Sequence, residues 1–529
     1  MQSASLPRAL YWPGRIIDAL CDNRRANAVI VAILVCYGAL WTLYAIVSKS
    51  TQAIHPDMAE VAAWSAELEW GTPKHPPLLP ALVRAWFFVF PAADWSYYLL
   101  AVTLVTVAIY FCWLLAGEFL DGVKRAVVPF FLMLIPFYNF LALKLDHNVV
   151  LIPLWAATTF CFVKAYRTRA ISWAIATGLC AGLAVLAKYW SFFLLAGLAL
   201  AVLIGPHRRA FFRSPAPIVI TAVSLGVFLP HILWLEANGF PTFEYARHRQ
   251  AEDHFTLVQG LWSYALGMLG YISVPILMLA ALEPTFRRQF SAAASPEDRE
   301  RRFVAIMLWA PLISSMVFAM LTYTRLGAVW TMSGLSLVGV LVLMTSSVTV
   351  TRTTAARMAL VAMVLSVGAA VASPVVAWSR LVHGVENDAL YVRDLARKIE
   401  DVLVAQKIER PRYLVGSYSL ANGVAFYMNE RPLPMPLETW VVPRWGSTAD
   451  PDDIVTLCVA SDESCRKNRR VHPMAEWITI EIEPRWLDFR GARETFVLER
   501  KPPVSSDTDS CCTDVGARDR RVKTRRPAL

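Results

Sequence analysis

Charge is scarce in this chain: 17% of its 529 residues are Asp, Glu, Lys or Arg, against about 25% in an ordinary soluble domain. That shortage excludes a water-exposed surface over most of the length. The 9 cysteines never fall into a metal-ligand spacing, which removes a zinc ribbon or finger as the organising element. There is no internal repeat of the solenoid or propeller kind. Nor does any aromatic-basic stripe accompany the formal charge of +10, so that charge does not argue for a nucleic-acid partner.

What the chain has in quantity is apolar residues, 56% of the total. Runs of about 20 apolar residues, the length needed to cross a hydrocarbon core, recur from Ala26 to Trp378 with short polar breaks. The expected fold is therefore a polytopic α-helical membrane protein with about eleven transmembrane helices. The spans fall near 27 to 47, 95 to 116, 126 to 143, 149 to 166, 171 to 187, 190 to 205, 216 to 235, 260 to 282, 303 to 323, 328 to 345 and 358 to 378.

Arg8, Arg15, Arg24 and Arg25 precede the first run, which has no small-residue cleavage site, so a retained span with a cytoplasmic N-terminus is expected. Alternating spans then put most of the loop Lys and Arg residues on the cytoplasmic side, as the positive-inside rule requires. A multi-pass membrane protein with a cytoplasmic N-terminus follows, with membrane lipids as the first partners.

After Trp378 the pattern changes. "ENDALYVRDLARKIEDVLVAQ" has helical spacing, while "RYLVGS", "DIVTLCVA", "WITIEIEP" and "TFVLERK" read as strands. Three regions result: a transmembrane domain over 1-384, a small periplasmic α/β domain over 385-502, and a polar basic tail over 503-529 expected to be disordered. Cys458 and Cys465 lie where they can pair, Cys511 and Cys512 are adjacent and unconstrained, and the remaining five are small buried thiols in or near spans.

The first outer loop, 48-94, gathers charge beside a span. Met58, Val61, Ala62, Ser65 and Leu68 recur at helical spacing, as do Leu78, Leu79, Leu82, Val83, Trp86 and Phe87, so two amphipathic helices in the interface are expected. Asp57 and Glu60 are three apart and share one side of the first, with Asp57 near its positive end. The same face collects Lys144, Asp146, His147 and Asn148 in one turn, Lys188 and Tyr189 in another, and Arg247 and His248 in a longer loop. Lys188 stands out, because its turn is too short to leave the membrane boundary, where charge is costly.

An acid shortly after the first span, a "HPPL" turn, a "DHN" turn running into "LIPLW", and then "GLAVLAKY" together resemble the glycosyltransferase C superfamily. The nearest branch is that of the bacterial protein O-mannosyltransferases and the lipid A aminoarabinose transferase, over about residues 27 to 345. The resemblance implies a polyprenyl-phosphate-linked sugar donor, with Asp57 as the catalytic acid and Glu60 as a second carboxylate. It implies further that Asp146 and Asn148 line the sugar pocket and that Lys188 meets the lipid phosphate; Lys74, His75, His147, Tyr189, Arg247 and His248, gathered on the same face, are further candidates for holding the substrate. Relatives often carry an acid just before the "HPPL" turn, where this chain has Lys74.

The chemistry stands beside the name. A sugar on a lipid phosphate already has a good leaving group, so transfer needs one base for the acceptor hydroxyl and cations for the departing phosphate. A single displacement inverts the anomeric centre, whereas retention needs a nucleophilic carboxylate. The acceptor is a glycolipid such as lipid A, a glycan or a protein. No metal ligand set is expected; a divalent cation is compatible with the histidines at 55, 75, 147, 248 and 254, though none share a tight spacing. The alternative is a transporter or flippase of lipid-linked sugars, which would place polar groups near the midplane and show related halves.

Overall fold

The computed structural model describes residues 8-247, 250, 253-283, 286, 298-345, 348-405, 411-437, 453-463, 465 and 476-500. A short amphipathic helix, α1 (Tyr11–Cys21), comes first, with Ile17 and Leu20 buried and Tyr11 and Trp12 exposed. The first long apolar run then forms α2 (Ala26–Ser48). The loop beyond it carries the two expected short helices, α3 (Pro56–Ala66) and α4 (Leu78–Val89). Helix α3 starts at Pro56 because proline suits the first turn, and His55 caps it by accepting the Asp57 N–H at Nδ1, 3.1 Å away.

The bundle continues with α5 (Asp94–Ala116), α6 (Gly122–Met133), α7 (His147–Thr168), α8 (Ile171–Ala187), α9 (Ser191–Ile204), α10 (Arg208–Phe212), α11 (Ala216–Ala237), α12 (Pro241–Arg247) and α13 (His254–Leu282). Helices Arg299–Thr322 and Arg352–His383 complete it. Helix α7 is buried almost throughout and forms the axis around which the others pack. Helices α8 and α11 approach closely because Gly178 and Gly182 have no side chain; a Cβ at either would lie 2.7 Å from the Cβ of Val223 or Val227.

Among the described residues, seven helices are long and apolar enough to cross a membrane, and four shorter apolar helices accompany them, one of which is α4 in the first loop. The expectation of eleven regular spans is corrected at two places. The stretch 126 to 143 is not one span: α6 stops at Met133 and two 3-10 turns, Pro136–Tyr138 and Phe140–Leu143, follow. Pro136 ends the helical hydrogen-bonding, and the freed carbonyls are recaptured. Asn139 Nδ2 donates to Met133 and Ile135 at 2.9 and 3.2 Å, and the Tyr37 hydroxyl donates to Tyr138 O at 2.9 Å. Likewise 328 to 345 forms a 3-10 helix, Ala328–Leu337, before a short α-helix, Val338–Leu343. Residues 331-337 are buried by protein, the condition under which irregular backbone is tolerated at membrane depth.

Charges separate to the two ends of the bundle. At one end Glu118, Lys164, Arg167 and Glu300 form a network with contacts of 2.9 to 3.4 Å, and Arg352 pairs with Asp18. Asp57, Lys144 and Lys188 are gathered at the other.

Above that second end sits a mixed five-stranded sheet in the order β2-β1-β3-β7-β4: β1 (Tyr413–Gly416), β2 (Leu433–Pro436), β3 (Ile454–Val459), β4 (Glu476–Ile482) and β7 (Glu494–Arg500). Strand β1 runs parallel to β2 and β3, while β7 is antiparallel to β3 and β4. A two-residue pair, β5 (Arg485–Trp486) and β6 (Phe489–Arg490), leans on the end of Arg352–His383. Two helices, Val392–Ala405 and Tyr418–Tyr427, join the core of this unit. The first helix and four of the five strands lie where the sequence pattern puts them; β2 and Tyr418–Tyr427 are additions that the pattern does not announce. Cys458 and Cys465 form a disulfide. The tail 503-529, with Cys511 and Cys512, lies outside the described residues.

The sheet unit is fastened to the first loop. Arg393 pairs with Asp94 and donates to the backbone carbonyls of Ser50 (2.7 Å) and Gln52, and the Tyr427 hydroxyl donates to Asp94 at 2.8 Å.

Candidate active site

A cavity of about 1280 Å³ opens where α3, the 139-148 turn, the α8–α9 junction, α11, α12 and the Tyr418–Tyr427 helix meet. At its polar end stand the two loop carboxylates. Helix α3 presents Asp57 and Glu60 on one side, and the Tyr418 hydroxyl lies 2.9 Å from Asp57 Oδ1 and 3.0 Å from Glu60 Oε2. One phenolic proton is therefore shared between two acids. Burial, with the two carboxylates beside it, pushes the Tyr418 phenol far up from its ordinary value, so it remains a donor.

The acids differ in what else holds them. Glu60 Oε1 is 2.6 Å from Lys74 Nζ, and the pair is enclosed, with side-chain exposures of 9% and 6%. Asp57 Oδ2 is 2.9 Å from Lys144 Nζ, and its side chain keeps 36% exposure. Burial pushes the Asp57 carboxyl up, but His55, Lys144 and the hydrogen bonds from Lys144 and Tyr418 bring it below its ordinary value. His55 is itself pushed down to about 4, chiefly by burial, and is neutral at pH 7, which leaves Lys144 as the effective charge. For Glu60 burial prevails over Lys74 and the carboxyl lies above its ordinary value. At neutral pH, Asp57 is thus the ionised and accessible acid.

The second polar wall comes from the turn before α7. Asp146 caps that helix, its Oδ1 accepting from the Asn148 and Val149 N–H groups at 2.8 and 3.1 Å. Asn148 Nδ2 donates to Asp146 Oδ2 at 2.9 Å, which turns Asn148 Oδ1 toward Lys188 Nζ, 2.7 Å away. The Lys188 ammonium also lies 4.3 Å from the Trp330 ring centre. The His75 and His147 rings are 4.0 Å apart, and buried Nε2 of His147 has no hydrogen-bond partner among the described residues.

On the far side, Tyr189 OH lies 2.6 Å from His231 Nε2, whose Nδ1 meets the Trp70 carbonyl at 2.6 Å. The carbonyl requires Nδ1 to carry the proton, so Tyr189 donates to Nε2. Beyond these groups the wall becomes apolar: Phe192, Phe193 and Ala196 of α9, Phe228 and Ile232 of α11, and Phe318.

Ten of the eleven residues singled out in the sequence line this cavity: Asp57, Glu60, Lys74, His75, Asp146, His147, Asn148, Lys188, Tyr189 and Arg247. His248 lies outside the described residues. Sequence reasoning missed Tyr418, which carries no local signal, and His231, an ionisable residue inside an apolar run that could have been flagged. Lys144 reads in the sequence only as a loop charge. Among the described residues no group of three His, Cys, Asp or Glu side chains has metal-holding geometry. The positive charge facing the cavity comes from Lys74, Lys144, Lys188 and Arg247.

A family model described as dolichyl-phosphate-mannose-protein mannosyltransferase matches residues 74–234. The lipid A galacturonosyltransferase RgtD of Rhizobium johnstonii is 24% identical over 276 residues, 49% of this chain and 54% of that protein. The chain thus spans about half the length of this curated relative. The crystal structure of ArnT from Cupriavidus metallidurans bound to undecaprenyl phosphate matches with a TM-score of 0.62 at 14% identity, over 89% of this chain and 97% of that one, a likeness of fold. Family model, relative and solved structure all point to the same glycosyltransferase branch that the sequence motifs resemble.

Proposed function

We propose that this protein transfers a sugar from a polyprenyl-phosphate donor to a glycolipid acceptor on the periplasmic face of a bacterial inner membrane. One observation carries the reading: a single cavity joins a carboxylate-cation cluster to an apolar wall. A lipid-linked sugar has that same division, with a polar head to be cut and a tail that needs apolar cover.

Asp57 accepts the proton of the acceptor hydroxyl, whose oxygen attacks the anomeric carbon as the bond from that carbon to the phosphate oxygen breaks. The departing phosphate keeps the bonding electrons and is met by Lys188, with Arg247 across the cavity. Lys188 is held for this by Asn148 and Trp330. His147 Nε2, buried and unpartnered among the described residues, is offered to a sugar hydroxyl. Glu60 is taken up by Lys74 and Tyr418 and so is not free to act as nucleophile; this favours one displacement with inversion.

The test is full-length protein in nanodiscs with labelled donor and lipid A as acceptor, the product read by mass spectrometry. Asp57→Asn should abolish transfer while the protein still inserts and binds polyprenyl phosphate. Retained transfer removes Asp57 from the chemistry, and lipid crossing between leaflets without bond cleavage replaces the transferase with a flippase.

A further inference from the structure

A second, smaller cavity of about 360 Å³ lies behind the catalytic acid, between the end of α2, the first loop, the end of Arg352–His383 and the connection to the sheet unit. Its size is that of a small-molecule site. Lys144 and His55 line it, and Lys144 lines the main cavity as well, so the side chain that pairs with Asp57 forms a shared wall between the two.

The charges in this second cavity are not balanced from within. Lys49, at the end of α2, and Arg380, in the last turn of its helix, face the same space. Arg380 uses one of its donors on the Ser48 carbonyl at 2.7 Å, a neutral partner. Lys144 is committed to Asp57. Among the described residues the one carboxylate lining the cavity belongs to Glu386, an exposed residue. Burial and then the neighbouring Arg380 push the Lys49 ammonium down to about 8. Two cations pressed together out of bulk water repel, and an anion between them reverses the sign of that interaction. Even with Glu386 counted the lining carries an excess of positive charge, which suits a phosphate monoester, an anion of about −1.5 to −2 at pH 7.

We infer that this cavity is a phosphate-monoester subsite in which Lys49 and Arg380 hold an anionic group of the acceptor beside the Lys144–Asp57 pair. The assignment to the acceptor rests on the transferase reading; the phosphate chemistry rests on the cavity alone. A phosphate clamped there would place the rest of the acceptor against the Lys144 wall, with a hydroxyl within reach of Asp57.

The experiment measures acylation of Lys49 by an amine-reactive ester at pH 8, read by peptide mass spectrometry on the full-length protein in phosphate-free maltoside micelles without donor. The additions are a phosphorylated glycolipid, the same lipid dephosphorylated, phosphatidylglycerol and inorganic phosphate. The phosphorylated glycolipid should slow Lys49 acylation about tenfold, the dephosphorylated one not at all, and Arg380→Gln should abolish the protection. Polyprenyl phosphate binding serves as the control for folding of that variant. Equal protection by phosphatidylglycerol would reassign the site to a bilayer headgroup and overturn the acceptor assignment. Unchanged acylation with every addition would overturn the subsite. Because no turnover is read, protection without sugar transfer keeps the subsite and refutes the transferase, and transfer without protection does the reverse.

Discussion

Replacing Tyr418 by Phe removes one oxygen from the site and leaves the ring. That oxygen lies 2.9 Å from Asp57 Oδ1 and donates to its charged form, so its loss disfavours the carboxylate and raises the Asp57 pKa. A hydrogen bond to a charged group contributes about 1.5–3 kcal/mol. Asp57 keeps 36% side-chain exposure, so water replaces part of the lost donor. The lower end applies, about 1.5 kcal/mol, equivalent to about one pH unit. In the proposed mechanism Asp57 is the base in its ionised form, above its pKa, so the acid limb of kcat/KM against pH should move upward by about one unit. The plateau at higher pH should change less than tenfold, since Asp57 is ionised there in both proteins. The assay is initial-rate transfer from about pH 2.5 to 9 with subsaturating donor, because the wild-type limb lies below the ordinary Asp value of about 3.9. An acid limb that stays in place while the plateau collapses would refute the reasoning and make Tyr418 a participant in the chemistry. A profile identical to wild type would mean that the phenol does not bear on Asp57 at all.

Lys74→Met leaves Glu60 buried without its cation and should cost about 3–5 kcal/mol, seen as a lowered Tm in detergent. The loss should shrink as pH falls and Glu60 takes up a proton, and an unchanged Tm would show that the pair contributes nothing. Lys188→Gln should cut kcat/KM by about a hundredfold, because a charged contact to the leaving phosphate is gone, while Tm stays within a degree or two; an effect under threefold would remove Lys188 from the phosphate site. Gly182→Leu forces atoms into Val227, 2.7 Å from where its Cβ must lie, and should lower Tm and yield of folded protein, as Gly226→Leu on open surface should not.

The legible features of this protein were those governed by composition and short spacing. Apolar runs of membrane length reveal helices because the bilayer leaves the backbone few alternatives, and the acids and lysines of the site were visible because charge beside a span is costly and therefore conspicuous. The two irregular stretches were not visible, because 126 to 143 and 328 to 345 are as apolar as any span. What distinguishes them is where their carbonyls find donors, such as the Asn139 amide, and hydropathy does not record that. Tyr418 lay further out of reach: it meets Asp57 across 361 residues of chain, and nothing in "GSYSLANG" marks it.

That contact changes how the sheet unit is to be understood. Nothing in the sequence pattern of 385-502 assigns that unit a side chain at the site. The helix Tyr418–Tyr427, however, begins on the hydroxyl that bridges Asp57 and Glu60 and ends on the one that binds Asp94 and the Ile54 N–H. Its two terminal tyrosines therefore grip the first loop near its start, at the Asp57–Glu60 pair and at its far end. Arg393, on the neighbouring helix, ties Asp94 to the carbonyls of Ser50 and Gln52. A rigid helix held at both ends transmits a displacement of one end to the other. A movement of the sheet unit large enough to free Asp94 would thus also draw the phenol away from Asp57, uncovering the base while removing the donor that helps keep it ionised.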